Sequence, residues 1–557
     1  MYGGKQVKLH SYWQDAKVLA RDFCRESSIH GFKYLMGSHR ALIEKIWWFA
    51  VTCISLYGCG SLIHNVYQKW QMDPVIVSFA TKPVPVFRIP FPSVTICPEI
   101  KVKMDRLNFT QIYNEVIEGT LKEQMDGERV GKLLAMLQVC DFVLYEVFTN
   151  ETFDDDCVRL LQQMKIPQNE VFLYCQWRDE NVNCSEKFRP TLTEKGICYT
   201  FNSLSEDDLL RKEGLHSEYP YLAETRPIVN WTLDEGYSPD ATRGVYPQRV
   251  LGSGISAGLN VMIKANLSDM DYLCSNTFQG FQVLLHTPHE YPQLSQRHFR
   301  VPLNQQVVVS VTPDIVTTSE DVKAYQPHRR QCYFDNERYL RFFRIYSQKN
   351  CELECLTNYT LEQCGCVKFS MPRPADARIC GLSKIRCYKR AAVDILLSNA
   401  KMIVNKSKIS KDKCDCLPAC STLRYHSELS QSDFQWTKMI PVAKAYRTEL
   451  QGVQLANLVV LFRDAGFIPV VRRELYGSTD LLANCGGLLG LFMGISILSL
   501  VEILYYCSIK PLVIWWKGMN LTPVKQITPI AEYKNPFASK ILHAGYKSDV
   551  VGKFYLK

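Results

Sequence analysis

The sequence lacks the short motifs on which soluble catalysis is commonly built. It has no HExxH pair of metal-binding histidines, no Walker phosphate loop and no Rossmann glycine motif beside a βαβ unit. One G-x-S-x-G stands at residues 254–258. The hydrolase nucleophile elbow needs a strand before that motif and a helix after it. Here a loop (YPQRVLGSG) precedes and a strand-like GLNVMI follows, so no enzyme is indicated. Basic stripes with interleaved aromatics are missing too, and a net charge of +9 over 557 residues is not the footprint of a nucleic-acid binder. There is no internal repeat, low-complexity tract or long linker. Acid is almost absent from one stretch: residues 481–509 hold 29 residues and a single carboxylate, Glu502.

That stretch, LLANCGGLLGLFMGISILSLVEILYYCSI, is long enough to span a hydrocarbon core of about 30 Å. A mid-helix carboxylate costs about 2.5–3.5 kcal/mol on insertion scales, so Glu502 is expected to face water or protein. Gly486, Gly490 and Gly494 recur every four residues and predict one small-residue face, with Ser496, Ser499 and Glu502 in the next turns. Such a face serves close helix packing or a pore lining, and the two are compatible. Glu502 favours conduction.

A second apolar run of 21 residues, 46–66, can also span, and its position and flanks do not suit a cleaved signal peptide. The basic excess sits at the ends: residues 1–42 hold seven Lys/Arg against three Asp/Glu, and 508–557 hold eight against two. Two spans then place both tails in the cytoplasm and the intervening 400 or so residues outside. Seventeen of the 22 cysteines lie between Cys97 and Cys420, a density that suits an oxidising compartment. Glycosylation triplets begin at Asn108, Asn150, Asn183, Asn230, Asn266, Asn358 and Asn405; one at Asn520 falls in the C-terminal tail.

Along the chain, PVPVFRIPFPSVTICP, GICYTFN (196–202), GLNVMIKANL (258–267) and QQVVVSVTP (305–313) predict strands of a sizeable antiparallel sheet. Helical periodicity runs through VGKLLAMLQVCDFVLYEVF. The acidic run at 154–156 reads as a solvated loop, with a calcium or proton site as the alternative. Residues 332–420 hold ten cysteines; Cys351 and Cys355 share one helical face and could form a ladder with Cys416 and Cys414 on an extended segment. Zinc is the rival reading of that cluster. The strand-like stretches 455–462 and 467–475 lead into the second span without a flexible linker.

Together these motifs resemble the epithelial sodium channel/degenerin/acid-sensing channel family over about residues 23–510. They are the His30-Gly31 of SSIHG, FPSVTICP, GICYTFN, the ten-cysteine block and GGLLGLFMGISILSLVE. The C-x3-C-x8-C-x-C spacing followed by MPR is most like the insect pickpocket branch. The resemblance implies a two-span membrane protein with a large disulfide-rich α+β ectodomain: an antiparallel β palm and β-ball with helical finger, thumb and knuckle. Its divisions would be a cytoplasmic tail (1–42) with the His-Gly motif, a first span (43–68), an extracellular domain (69–474), a second span (475–509) and a cytoplasmic tail (510–557).

It further implies a subunit of a trimeric, sodium-selective, amiloride-sensitive cation channel in the plasma membrane, gated through its ectodomain by an extracellular stimulus. The trimer would be homomeric or built with related subunits; Na⁺ is the permeant ion and no cofactor is required. Gly494, Ile495 and Ser496 fall on the selectivity filter, Glu502 on the acid just inside it, Ala483 on the degenerin position, Gly490 on a position linked to amiloride block, and His30-Gly31 on a gating loop. The implied disulfides are Cys97–Cys198, Cys175–Cys184, Cys332–Cys420, Cys351–Cys416, Cys355–Cys414, Cys364–Cys387 and Cys366–Cys380, with Cys140–Cys157 as an extra pair and Cys274 left over. Two positions depart from the family: Tyr505 replaces a second acid, and Arg329 replaces the tryptophan that acid-sensing relatives pack against an aromatic near the first span, here Tyr67 or Trp70. The rival classes are a non-conducting two-pass receptor or scavenger-type lipid-binding protein, whose second span would be plainly apolar, and a trimeric ATP-gated channel with a basic nucleotide pocket.

Overall fold

The structure, a computed structural model, describes residues 18–35, 41–72, 74–120, 127–140, 152–153, 156–216, 219, 231–238, 245–275, 278–404, 414–439 and 452–517. It comprises two units, one of residues 1–65 with 482–557 and one of residues 66–481. Asn150, Asn230, Asn405 and Asn520, and residues 141–148 of the expected helical stretch, lie outside the described residues, as do two of the three aspartates at 154–156 and most of both tails.

The first unit holds all but the last seven residues of one continuous helix, Leu42–Met72, with Trp47, Phe49, Ile54 and Tyr57 exposed along it. Among the described residues it alone is long and apolar enough to cross a bilayer as a single helix. The second apolar run departs from expectation. It forms two helices, Ser478–Met493 and Ile497–Leu504, bent by 76° across residues 494–496, then a π-helical turn Tyr505–Ile509 and a last helix Lys510–Lys517. The break has a local cause. Gly494 takes φ +66°, which ends a helix at low cost only for glycine. Ser496 is extended and starts the next helix: Ser499 N–H donates to Ser496 Oγ (3.3 Å) and Ser496 N–H donates to Ser499 Oγ (3.1 Å). The expected glycine stripe therefore stops at Gly490, and Gly494 sits in the break.

The larger unit is built on two sheets. Its strands begin with β1 (Val75–Phe79), β2 (Ser93–Pro98), β3 (Phe172–Trp177), β4 (Glu180–Asn181), β5 (Phe188–Thr193), β6 (Gly196–Phe201) and β7 (Leu259–Asn266). They continue with β8 (Phe281–His286), β9 (Phe299–Val301), β10 (Gln305–Thr318), β11 (Thr422–Asp433), β12 (Val453–Phe462) and β13 (Val470–Glu474). The large sheet runs β1-β13-β10-β12-β7-β3-β4 with β11 on the other edge of β10; the small one runs β9-β8-β2-β6-β5. The expected antiparallel sheet is in fact mixed, because β10 pairs in parallel with β12 and with β13. β11 returns antiparallel along β10, so that β12 and β13, which follow it, run in the direction of β10.

Burial follows the sequence pattern. Leu259, Val261, Ile263 and Ala265 of β7 and Val307, Val309, Val311 and Ile315 of β10 alternate inward, while β12 is buried continuously from Leu455 to Phe462, as a strand covered on both faces should be. Aromatic rings join the two sheets: Phe91 lies 4.9 Å from Trp177 and 5.5 Å from Phe462, and Phe172 stacks on Phe188 at 4.5 Å. Asn202, left-handed at φ +61°, donates to the Phe91 and Gln248 carbonyls (2.7 and 3.0 Å) and fixes the exit from β6.

Disulfides join Cys97–Cys198, Cys175–Cys184, Cys332–Cys420, Cys351–Cys416, Cys355–Cys414, Cys364–Cys387 and Cys366–Cys380. The helix Gln348–Cys364 carries Cys351 and Cys355 on one side, starts at the Ser347 cap and stops at Gly365. The expected Cys140–Cys157 pair is not formed; Cys140 is bonded to Cys274. Asp271 explains the choice. Its carboxylate accepts from Phe109 N–H (2.7 Å) and Thr110 N–H (3.1 Å), docking the Tyr272–Ser275 turn on the Phe109–Ile117 helix and holding Cys274 in reach of Cys140. Cys157 faces the core from the Asp156–Met164 helix, and burial pushes its thiol up to about 12.

Two outcomes follow. Cys157 should resist alkylation in the native full-length chain and react on denaturation, as counted by mass tagging. Cys140→Ser and Cys274→Ser should each lower stability by about 2–5 kcal/mol, and together no more than either alone. Burial also pushes His286, at the end of β8, down to about 4. Its folded value lies below the unfolded one near 6.5, so its contribution is intact above that pH and about 3 kcal/mol is lost as pH falls toward 4. The unfolding midpoint of the full-length chain should drop between about pH 7 and about pH 4.5, and less so in His286→Gln.

Candidate functional site

The residues singled out in the two apolar runs converge in the first unit. After a helix over 18–26 the chain turns through Ser27–Gly31. His30 N–H donates to the carbonyl of Met493 (2.9 Å), the last residue before the break, and so satisfies an acceptor that a helix end leaves open. Gly31 takes φ +94°, and a Cβ there would lie 2.8 Å from Thr52 Oγ1, whose hydroxyl donates to the Trp48 carbonyl (2.8 Å). A Cβ on Gly494 would overlap the imidazole of His30. Each glycine thus stands where another element presses on the backbone, so both positions need glycine for space as well as for dihedral. Tyr34 stacks on Trp48 (4.3 Å), and Gly58 admits Phe492 against the Leu42–Met72 helix.

Beyond the break, Ser28 meets the second run. Its N–H and Oγ both lie 3.1 Å from Glu502 Oε2, and its Oγ lies 2.7 Å from Ser499 Oγ, which is fully buried. Farther along, Tyr506 donates to Glu26 and packs edge-on against Phe23 (5.3 Å), while Lys510 approaches Asp22 (3.8 Å). Ser499, Glu502, Tyr506 and Lys510 are spaced along one side of the segment.

The structure therefore brings together His30, Gly31, Gly494, Ile495, Ser496 and Glu502. Gly490 adjoins them, its carbonyl accepting from Gly494 N–H (2.9 Å); Ala483 lies apart, on the same exposed stripe of the Ser478–Met493 helix, ten residues, about 15 Å of helical rise, from Met493. Along that stripe a Cβ at Gly486 or Gly487 would meet nothing within 4 Å. Sequence reasoning missed Ser28, Thr52, Glu26 and Tyr506. The one available signal was local: S-x-x-S at 496–499 is a helix-start pattern in the middle of an apolar run.

In the larger unit Arg329 lies against Trp70, one of the two aromatics expected near the first span. Its guanidinium lies 4.2 Å from the ring centroid of Trp70 and 4.1 Å from that of Tyr325, and Nη2 donates to the Trp70 carbonyl (3.4 Å). A cation between two ring faces thus ties this turn to Trp70. Arg330, buried beside it, donates to the carbonyls of Lys323, Tyr325 and Cys332 and pairs with Glu337, which fixes the turn. Of the described glycosylation candidates, Asn183, Asn266 and Asn358 are exposed and Asn108 is partly so.

With a broken apolar segment, a glycine-bound turn beneath it and a disulfide-rich β unit, the class is a membrane channel rather than an enzyme. The family profile described as "Amiloride-sensitive sodium channel" matches residues 23–506, and the chain belongs to that family. Pickpocket protein 28 of Drosophila melanogaster is 28% identical over 88% of this chain and 78% of its own length. Sodium channel protein Nach of the same organism is 26% identical over 88% and 86%, and acid-sensing ion channel 1 of Gallus gallus 23% identical over 88% and 83%. A solved structure of a proton-activated chloride channel aligns at TM-score 0.28 and 7% identity, over 85% of this chain and 97% of that one, which is too low to bear on the fold.

Arg329→Ala should loosen the end of the Leu42–Met72 helix, at a cost of about 1–2 kcal/mol for the two ring contacts. Hydrogen–deuterium exchange should quicken at residues 66–72 and 324–331, and less so in Arg329→Lys.

Proposed function

We propose that three copies of this chain, or of this chain with related subunits, form a sodium-selective, amiloride-sensitive channel in the plasma membrane. In this reading both termini are cytoplasmic, and the larger unit is an extracellular, glycosylated domain with palm, β-ball, finger, thumb and knuckle parts. The observation that carries it is the break at Gly494-Ile495-Ser496. An apolar segment that only anchored the chain would gain nothing from interrupting its helix; a conducting one gains backbone carbonyls and a hydroxyl released from the helical ladder, able to replace water around Na⁺. Family membership and the relatives named as sodium channels support the same reading.

Gating from outside is supported by connectivity. β1 begins three residues after Met72 and β13 ends four residues before Ser478, and the two strands pair from Val75–Glu474 to Phe79–Val470. A displacement of β13 through its parallel partner β10 would therefore reach both apolar segments at once. Arg329 against Trp70 offers a second such path.

Expression in oocytes, alone or with a related subunit, should give an inward Na⁺ current that amiloride reduces. Ala483→Val should enlarge it, Gly490→Ser should weaken amiloride block, and Ser496 substitutions should shift the Na⁺/K⁺ reversal potential. Surface-expressed protein that carries no current in any combination would favour the receptor class instead.

A further inference from the structure

We propose that Glu502 is a positioning residue. Its carboxylate latches the Ser28–Gly31 turn beneath the break, and through that turn it sets how often the path is open. This rests on the channel reading above and specifies how its site is held.

The donors and acceptors form one consistent chain. Ser28 N–H and Ser28 O–H both donate to Glu502 Oε2 (3.1 Å each). With its proton so used, Ser28 Oγ accepts from Ser499 O–H (2.7 Å), and Ser499 Oγ accepts from Ser496 N–H (3.1 Å). Every proton is used once. The relay runs without a gap from the acid to Ser496, the residue that caps the helix after the break. Two donors from the same residue on one carboxylate oxygen also set the direction of the chain that follows. The next residue, Ile29, is buried, and His30 after it donates to Met493 and abuts Gly494. Oε2 is committed to Ser28 by both of these bonds, so the position of the carboxylate and that of the turn are tied together.

The contacts of Glu26 with Tyr506 and Asp22 with Lys510 lie farther along the same side. They hold the helix over 18–26 but do not touch the break. They provide the control: losing them should leave the turn latched.

The two roles for Glu502 differ in what they change. A carboxylate that concentrates cations sets unit conductance; a latch sets how often the path is open. Single-channel recording of the full-length chain in the Ala483→Val background, at low Na⁺, separates them. Glu502→Gln and Ser28→Ala should each change open probability by about three- to tenfold in the same direction, with unit conductance unchanged. The double variant should do no more than the larger single one, because the two share one interaction. Ser28→Thr, which keeps both donors, should behave as the parent, and Tyr506→Phe should leave open probability near the parent's. A fall in unit conductance in Glu502→Gln with Ser28→Ala silent, or additive effects in the double variant, would overturn the proposal.

If no variant, the parent included, carries current, the channel reading fails and the latch is judged separately. In membranes holding the full-length Ser28→Cys/Ser499→Cys chain, an added oxidant should join the two positions, read on proteolytic fragments without reductant. Glu502→Gln should reduce that yield several-fold. No cross-link, or one indifferent to residue 502, would overturn the latch even there.

Discussion

At Gly31 and Gly494 a neighbouring side chain stands where a Cβ would be, and the first unit is organised around those two contacts. A Cβ at Gly494 would occupy the imidazole of His30, and one at Gly31 would press on Thr52. Because both residues also hold left-handed dihedrals, the turn over 27–31, the break over 494–496 and the Leu42–Met72 helix constrain one another. The break alone would be a helix end with unsatisfied carbonyls in an apolar segment, an expensive condition away from water. The turn supplies a donor, His30 N–H, to one of those carbonyls.

Much of this was legible in advance, and for identifiable reasons. Strands such as 258–267 and 305–313 announced themselves because one face is buried and the residues alternate. His30-Gly31 and Gly494-Ile495-Ser496 were readable through family resemblance, since nothing in a lone His-Gly pair points to a site. That the two meet could not be read from the sequence, because their contact spans more than 460 residues and depends on a missing Cβ. The uninterrupted second helix was a misreading of composition. Hydropathy says where a chain prefers lipid, whereas φ at Gly494 and the cap at Ser496 decide whether it stays helical there.

The other departures have the same character. The sheet was expected antiparallel because each strand alternates, but alternation is silent about direction, and the return along β11 lets β12 and β13 run parallel to β10. Cys140 finds Cys274 because of Asp271, a carboxylate whose helix-capping role is visible only once the two short helices are docked. Arg329 looked like the loss of an aromatic contact. Between the rings of Trp70 and Tyr325 it is a contact of different chemistry.

The excursion between β10 and β11 has a mechanical meaning. Val316 of β10 faces Thr422 of β11, Thr318 Oγ1 donates to the Cys420 carbonyl (2.7 Å), and Cys332–Cys420 closes the neck with Cα atoms 4.9 Å apart. About a hundred residues thus leave and re-enter the sheet through one narrow stalk. A pull on the far end cannot unzip the two strands, because the covalent clasp lies between the load and the first backbone pair. Force collected on that appendage is shared between this clasp and its packing on neighbouring segments, where Asn350 donates to the His289 carbonyl and Arg211 N–H to that of Phe342.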